Sequence, residues 1–207
     1  MKAIIVDDHP FIRIAIKMLL EKEGMEIVGC ASDGIEAIQM AKDSMPDLII
    51  LDIALPRLDG LEVIGRIGTL GLHCKILVLT SLNAEFYSIR CMKAGAAGYL
   101  AKTSDMADLS RAVNAVMSGY TFFPNLAMST VRRDDSGSSD ESLIQKLSDR
   151  ELSILQQLAR GMTNKEISEA MFLSSKTVST YKARLIEKLK VKSLVYLADF
   201  ARRNHLI

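Results

Sequence analysis

"LIILDIALPRLDG", residues 48–60, carries four apolar residues straight into an aspartate, and a proline follows four residues later. An apolar run this short, rich in Ile and Leu and closed by turn formers, reads as a strand buried on both faces. Asp52 then stands at the carboxyl end of that strand, where a sheet opens to solvent. The arrangement recurs along the front of the chain. "AIIV" (3–6) ends in Asp7-Asp8, "KILVLT" (75–80) ends in Thr80, "GYLAK" (98–102) ends in Lys102, and "EIVGCA" (26–31) supplies another strand. Between them, Ile12, Ala15, Ile16, Leu19 and Leu20 share one helical face, "DGIEAIQMAKD" reads as a helix before Pro46, and Leu109, Ala112, Val113, Val116 and Met117 mark a further apolar face. Five strands alternating with helices predict an α/β class: a flavodoxin-like, doubly wound, five-stranded parallel sheet.

The 207 residues are 49% hydrophobic and 25% charged, an ordinary globular composition rather than a disordered one. No stretch of about 18 apolar residues is present, so no membrane span is predicted, and the apolar run near the amino end is too short for a signal-peptide core. The expected location is the cytoplasm. Cys30, Cys74 and Cys91 are scattered, form no CxxC pair and do not cluster with His9, His73 or His205, so neither a disulfide framework nor a zinc site is expected.

Charge divides the chain. Residues 143–207 hold 12 basic and 6 acidic groups, a net +6, while residues 1–142 hold 14 basic and 19 acidic, a net −5. An acidic front and a basic back predict two domains with different partners, and nucleic acid suits the basic one. The stretch "RRDDSGSSDES" (132–142) is polar, small and free of apolar residues, a linker composition. The expected division is 1–120, a linker over 121–142, and 143–207.

The back part reads as all helical. Ser148 with Glu151, and Thr163 with Glu166, have capping-box spacing, and each announces a helix start. Gly161 suits a helix C-terminus. Ser174 is the expected N-cap of a third helix over about 175–189, and a fourth runs near 193–204. Two short helices meeting at a tight turn, the second rich in polar and basic residues, predict an all-α four-helix domain with a helix-turn-helix.

In a flavodoxin-like order the first and third strands are neighbours, so Asp7, Asp8 and Asp52 converge at one sheet edge. Three carboxylates that close favour a hard divalent ion among them, and Mg2+ fits oxygen ligands that leave room for water. Thr80 and Lys102 face the same pocket, where a hydroxyl and an ammonium can stabilise a phosphoryl group. Asp52 is then the nucleophile that becomes an acyl phosphate. Pro56 and Gly60 shape the loop that follows it.

These residues carry a resemblance. "VDD" at 6–8, "LDIALPRLDG" at 51–60, "LTS" at 79–81 and "GYLAK" at 98–102 are similar to the receiver domain of two-component response regulators, over roughly residues 1–120. "LSDRELSILQQLARGMTNKEISEAMFLSSKTVSTYKARLIEKL" resembles the LuxR-type DNA-binding domain. Together they resemble the NarL/FixJ family, and "YTFFP", "MFLSSKTVSTYKARL" and "KSL" look closest to regulators of the BvgA/EvgA kind. The resemblance implies Asp7 and Asp8 as metal-binding acids, Asp52 as phosphoacceptor, and the backbone carbonyl of Ala54 as a further metal ligand. It implies Thr80 as the hydroxyl that turns toward the phosphoryl group, Lys102 as its counter-charge, and Tyr99 as an aromatic switch that changes rotamer. A sensor histidine kinase is the implied donor. Ala54 is a departure, since many relatives carry a polar side chain there.

On the third back helix, Val178, Tyr181, Leu185 and Leu189 fall on the expected inward face, leaving Lys176, Ser179, Thr180, Lys182, Ala183 and Arg184 outward. Small and hydroxyl residues near the start of such a helix allow close entry to the major groove of double-stranded DNA. The resemblance puts Ser179, Thr180 and Ala183 against bases. Lys182 and Arg184 are candidates for base or phosphate contacts, and Lys176, Lys188, Lys190 and Lys192 for phosphates. One such domain offers little area, so a homodimer on two half-sites is expected. Two other classes compete with this reading. An aspartate-nucleophile phosphatase would need a second acid two residues beyond the nucleophile, where Ala54 stands. A ligand-gated LuxR-type regulator would need an aromatic-lined pocket; the chain has no Trp, and that reading leaves the acid pocket unexplained.

Overall fold

The computed structural model describes residues 1–124, 139–171, 173–204 and 206–207. They fall into two compact units, divided between Pro124 and Asn125.

The first unit alternates strand and helix: β1 (Lys2–Val6), α1 (Pro10–Lys22), β2 (Glu26–Ala31), α2 (Gly34–Ser44), β3 (Leu48–Leu51), α3 (Gly60–Thr69), β4 (Lys75–Thr80), α4 (Ala84–Ala94), β5 (Gly98–Ala101) and α5 (Met106–Met117). All pairings are parallel, in the order β2-β1-β3-β4-β5. Every residue of β3 is buried, because helices cover both faces of a parallel sheet. Ala3, Ile5, Leu48, Ile50, Leu77 and Leu79 turn to one side and pack against Ile16 and Leu20 of α1 and Leu109 and Val113 of α5. Asp33, Asp59, Asn83 and Asp105 cap α2, α3, α4 and α5, each accepting main-chain N–H bonds.

Residues 121–124, expected in the linker, belong to this unit. Phe122 forms a bridge with Gly98, accepts from Tyr99 N at 2.7 Å and donates to Ala97 O at 3.0 Å. β5 is an edge strand whose outer backbone groups need partners, and Phe122 supplies them. Helix α6 (Ser139–Gln145) takes up residues 139–142 and precedes the four helices expected. The rest of the linker expectation, residues 125–138, lies outside the described residues, as does His205.

The second unit continues with α7 (Asp149–Ala159), α8 (Asn164–Ala170), α9 (Ser175–Lys188) and α10 (Leu194–Arg203). Both capping boxes form as expected, at Ser148/Glu151 and Thr163/Glu166. Ser174 caps α9 by accepting from Thr177 N, and Gly161 follows α7 at φ +87°, a left-handed conformation that glycine adopts without cost. Leu152, Leu155, Leu158, Val178, Leu185, Leu197 and Phe200 are buried and form the small core. Among the described residues no helix is long and apolar enough to cross a membrane.

Candidate functional site

Backbone pairing sets the acids side by side. Asp52 N donates to Val6 O at 2.8 Å, extending the β1–β3 ladder by one residue and placing the Asp52 side chain beside Asp7. Lys102 N donates to Thr80 O at 2.8 Å, so the lysine leaves β5 at the same end of the sheet. Its Nζ lies 2.6 Å from Asp52 Oδ2 and 2.6 Å from Asp7 Oδ2, bridging two buried carboxylates. Burial draws the ammonium's pKa down, but the bonds to Asp52 and Asp7, and their charges, outweigh it and raise it above the ordinary lysine value.

The loop after Asp52 is held open by close packing. Ala54 N donates to Asp52 Oδ1 at 2.9 Å, orienting the carboxylate. A Cβ on Gly60 would lie 2.5 Å from Ile53 Cα and 2.8 Å from Asp52 O, so only glycine lets α3 start this near. Asp33 is buried and accepts from Arg57 of this loop as well as from the start of α2, tying the two corners together.

Asp8 is more exposed than Asp7, as the outer member of the cluster. One lysine does not neutralise three carboxylates. The donor set of Asp7, Asp8 and Asp52, each with an oxygen within 4.8 Å of the others, fits a divalent cation on charge and on ligand chemistry. Sequence reasoning missed His9, whose Nδ1 lies 2.6 Å from Asp8 Oδ1. It also missed Arg13, which donates to the Asp7 carbonyl at 2.5 Å. The only sequence signal for either was position just past the acid pair.

Thr80 is fully buried at the end of β4, and its Oγ1 accepts from Leu82 N at 3.4 Å. Tyr99 is buried beside it and donates its hydroxyl to Leu82 O at 2.6 Å. Burial, with Cys91 and Asp52 adding, pushes that hydroxyl far above the usual phenol range, so it is a neutral donor. Both expected switch residues therefore bond to the backbone of Leu82, at the entrance to α4.

On α9 the expected faces largely form. Val178, Leu185 and Leu189 are buried, whereas Lys176, Ser179, Thr180, Ala183 and Arg184 are exposed and Lys182 is half-buried. Tyr181 departs from the expected inward face: it is half-exposed, with the Arg184 guanidinium 5.9 Å from its ring centroid. Asn164, at the start of α8, donates to Ser179 Oγ at 3.0 Å and ties the two helices of the turn. Lys190, at φ +53° just past α9, and Lys192 are exposed.

Lys188, one of the expected phosphate contacts, pairs with a buried acid: its Nζ lies 2.8 Å from Glu151, whose side chain is only 4% exposed. Burial works against the Glu151 carboxylate, but the Lys188 bond, two bonds from Ser148 and the Lys188 charge hold its pKa below the ordinary range. The capping box at Ser148 and Glu151 was legible; its second use as a latch to α9 was not.

Comparison with known proteins gives the family. The model of the response regulator receiver domain matches residues 3–114, and that of the bacterial regulatory proteins of the luxR family matches residues 145–201. The chain belongs to the LuxR-type response regulators. This regulator is 49% identical to the virulence factors putative positive transcription regulator BvgA of Bordetella pertussis, over 99% of its own length and 98% of the relative's. It is 38% identical to the DNA-binding transcriptional activator EvgA of Escherichia coli K12 over the whole of both chains. Among solved structures, RcsB from Salmonella enterica serovar Typhimurium, bound to promoter rprA in the presence of the phosphomimetic BeF3-, is similar with a TM-score of 0.74 and 26% identity over 98% of each chain. Both matched family models are regulatory, in keeping with a protein that transmits a signal.

Proposed function

We propose that this regulator accepts a phosphoryl group from a sensor histidine kinase on Asp52 and, in that form, binds promoter DNA as a dimer to regulate transcription in the cytoplasm. The observation that carries this reading is the Lys102 ammonium bridging buried Asp7 and Asp52 at the carboxyl end of the sheet. A nucleophilic carboxylate there attacks phosphorus, the bond from phosphorus to the donor's nitrogen breaks, and the donor imidazole leaves. Asp7, Asp8, Asp52 and the carbonyl of Ala54 would hold Mg2+, which supplies charge stabilisation for the transferring phosphoryl oxygens. Ala54 N–H orients the Asp52 carboxylate, and Lys102 offers its positive charge to the added oxygens. Thr80 exchanges its contact with Leu82 N for the phosphoryl group. Tyr99, bonded to Leu82 O, responds by a change of rotamer that reshapes the surface near α4. With Ala54 where a phosphatase would carry its second acid, the product is a held phosphoryl group rather than a turned-over substrate.

The DNA-facing residues are Ser179, Thr180 and Ala183 toward bases, Lys182 and Arg184 toward bases or phosphates, and Lys176, Lys190 and Lys192 toward phosphates. Acetyl phosphate, or a phosphorylated sensor kinase, is expected to place label on Asp52, raise the dimer fraction and tighten binding to duplex promoter fragments. Label at another position, or none, overturns the reading.

Support for the dimer comes from α1. Phe11 is 86% exposed, and Ile14 and Met18 continue an exposed apolar stripe at spacings of 3 and 4 residues. A second copy presenting the same stripe would bury it in a two-fold contact. Phe11→Glu is expected to weaken phosphodonor-induced dimerisation about tenfold or more, since it removes one large apolar anchor and inserts a charge. Sedimentation reads the dimer and label uptake reads the receiver. Unchanged dimerisation with normal labelling places the contact elsewhere.

A further inference from the structure

The loop between β3 and α3 carries Ala54, whose N–H orients the Asp52 carboxylate, and it is fastened at a residue three positions further on. Leu58 N donates to Pro56 O at 2.7 Å, closing a three-residue turn around Arg57, which stands at φ +63°. That conformation is free for glycine and costly for a residue with a side chain, so it persists where surrounding contacts over-determine it. Those contacts come from the start of α2. Asp33 is buried and divides its carboxylate between two tasks. Oδ1 accepts from Ile35 N at 2.9 Å and Glu36 N at 3.1 Å, capping α2, while Oδ2 accepts from the Arg57 guanidinium. A Cβ on Gly34 would lie 2.4 Å from Leu58 O, so the loop backbone rests directly on the helix start.

Capping α2 needs only Oδ1, and burial of Leu55 and Leu58 already anchors the loop. What the ion pair adds is direction: it fixes a strained turn in one conformation, and through it the path of the chain back to Ala54. We propose that Arg57 is a positioning residue for phosphoryl transfer, its bond to Asp33 Oδ2 holding the loop so that Ala54 faces the Asp52 carboxylate. The inference rests on the reading of Asp52 as the phosphoacceptor. Arg57 acts through the loop and not on phosphorus, because its guanidinium is taken by Asp33. A group that must be held to a fraction of an ångström for reaction loses rate when its support is loosened, even where the fold survives.

Two variants of the full chain separate positioning from stability. Arg57→Gly removes the latch but relieves the positive φ, so it is expected to melt within about 3 °C of the parent. Asp33→Asn keeps an oxygen for the α2 cap and replaces the Arg57 acceptor with an amide N–H. In both, amide hydrogen exchange at Ala54 and Gly60 should quicken about tenfold without any phosphodonor. Label uptake from acetyl phosphate, with MgCl2 present, should fall about tenfold in maximal rate, the half-saturating donor concentration staying within about twofold. The double variant should be no slower than Arg57→Gly alone, since both changes break one bond. Unchanged exchange, or quickened exchange with undiminished uptake, overturns the inference. So does a raised half-saturating concentration at full maximal rate, which would put Arg57 on the donor, and so do additive losses in the double variant. A parent that takes no label overturns the reading of Asp52 instead, and the exchange measurement, which needs no phosphoryl donor, still shows whether the latch holds the loop.

Discussion

Asp52→Asn is expected to reduce phosphoryl uptake from acetyl phosphate by about a thousandfold or more while the protein stays folded. An amide oxygen is a poor nucleophile and cannot give an acyl phosphate, so the chemistry is removed rather than slowed. Folding should survive because Asp7 and Asp52 are buried like charges that share one ammonium. Neutralising one of them leaves a balanced Asp7–Lys102 pair and relieves repulsion. Without added divalent ion, the variant should melt at or above the temperature of the parent. The Lys102 pKa is raised on folding, so its contribution is complete at neutral pH and is lost only as pH climbs through the raised value, above the ordinary lysine range. Melting curves at neutral pH, with and without Mg2+, therefore separate loss of chemistry from loss of structure. Undiminished labelling of the Asn variant would place the acceptor elsewhere.

Lys188→Ala should have the largest effect on the second unit, and through stability rather than through a lost phosphate contact. Removing the ammonium leaves the Glu151 carboxylate, 4% exposed, with only Ser148 for company. Stripping one partner from a fully buried pair costs about 3–5 kcal/mol. The Lys188 side chain is 44% exposed and the Ser148 bonds persist, so about 2 kcal/mol is expected here. Glu151→Gln combined with Lys188→Ala should recover part of that loss, because no unpaired charge remains. The acid side follows from the sign of the shift. The Glu151 pKa is depressed on folding, so the pair's contribution is present above the ordinary carboxylate range and fades as pH falls through the depressed value. DNA titrations in salt supply the contrast. Lys176→Ala, on an exposed lysine at the start of α9, should flatten the salt slope by about one; Lys188→Ala should leave the slope unchanged at temperatures where it is folded. A reduced slope with an unchanged melting temperature would restore Lys188 to the phosphate contacts.

Much of the candidate site was legible because strand ends announce themselves. Apolar runs at 26–31, 48–51 and 75–80 became strands over those same residues. A polar residue that terminates such a run lies at the mouth of a parallel sheet whatever the connecting helices do, and this brought out Asp7, Asp52, Thr80 and Lys102. Helices α3 and α4 were less distinct in sequence. α4 carries an exposed Ile89 and Met92 among polar neighbours, which blurs its apolar face.

What the sequence determined by itself is therefore local: strand runs with period-free burial, the capping boxes at Ser148 and Thr163, the left-handed Gly161, and the division between an acidic front and a basic back. These depend on residues within a turn or a strand of one another, so the pattern contains the answer. Tertiary structure alone decided that Lys102 bridges Asp7 and Asp52, that His9 turns from its helix to the acids, that Phe122 pairs with the β5 edge, and that Lys188 pairs with Glu151. Each is a pairing across sequence distance or a choice between competing partners. The choice is settled by which backbones lie side by side and which charges are shut away from water, and neither quantity is written in the order of the residues.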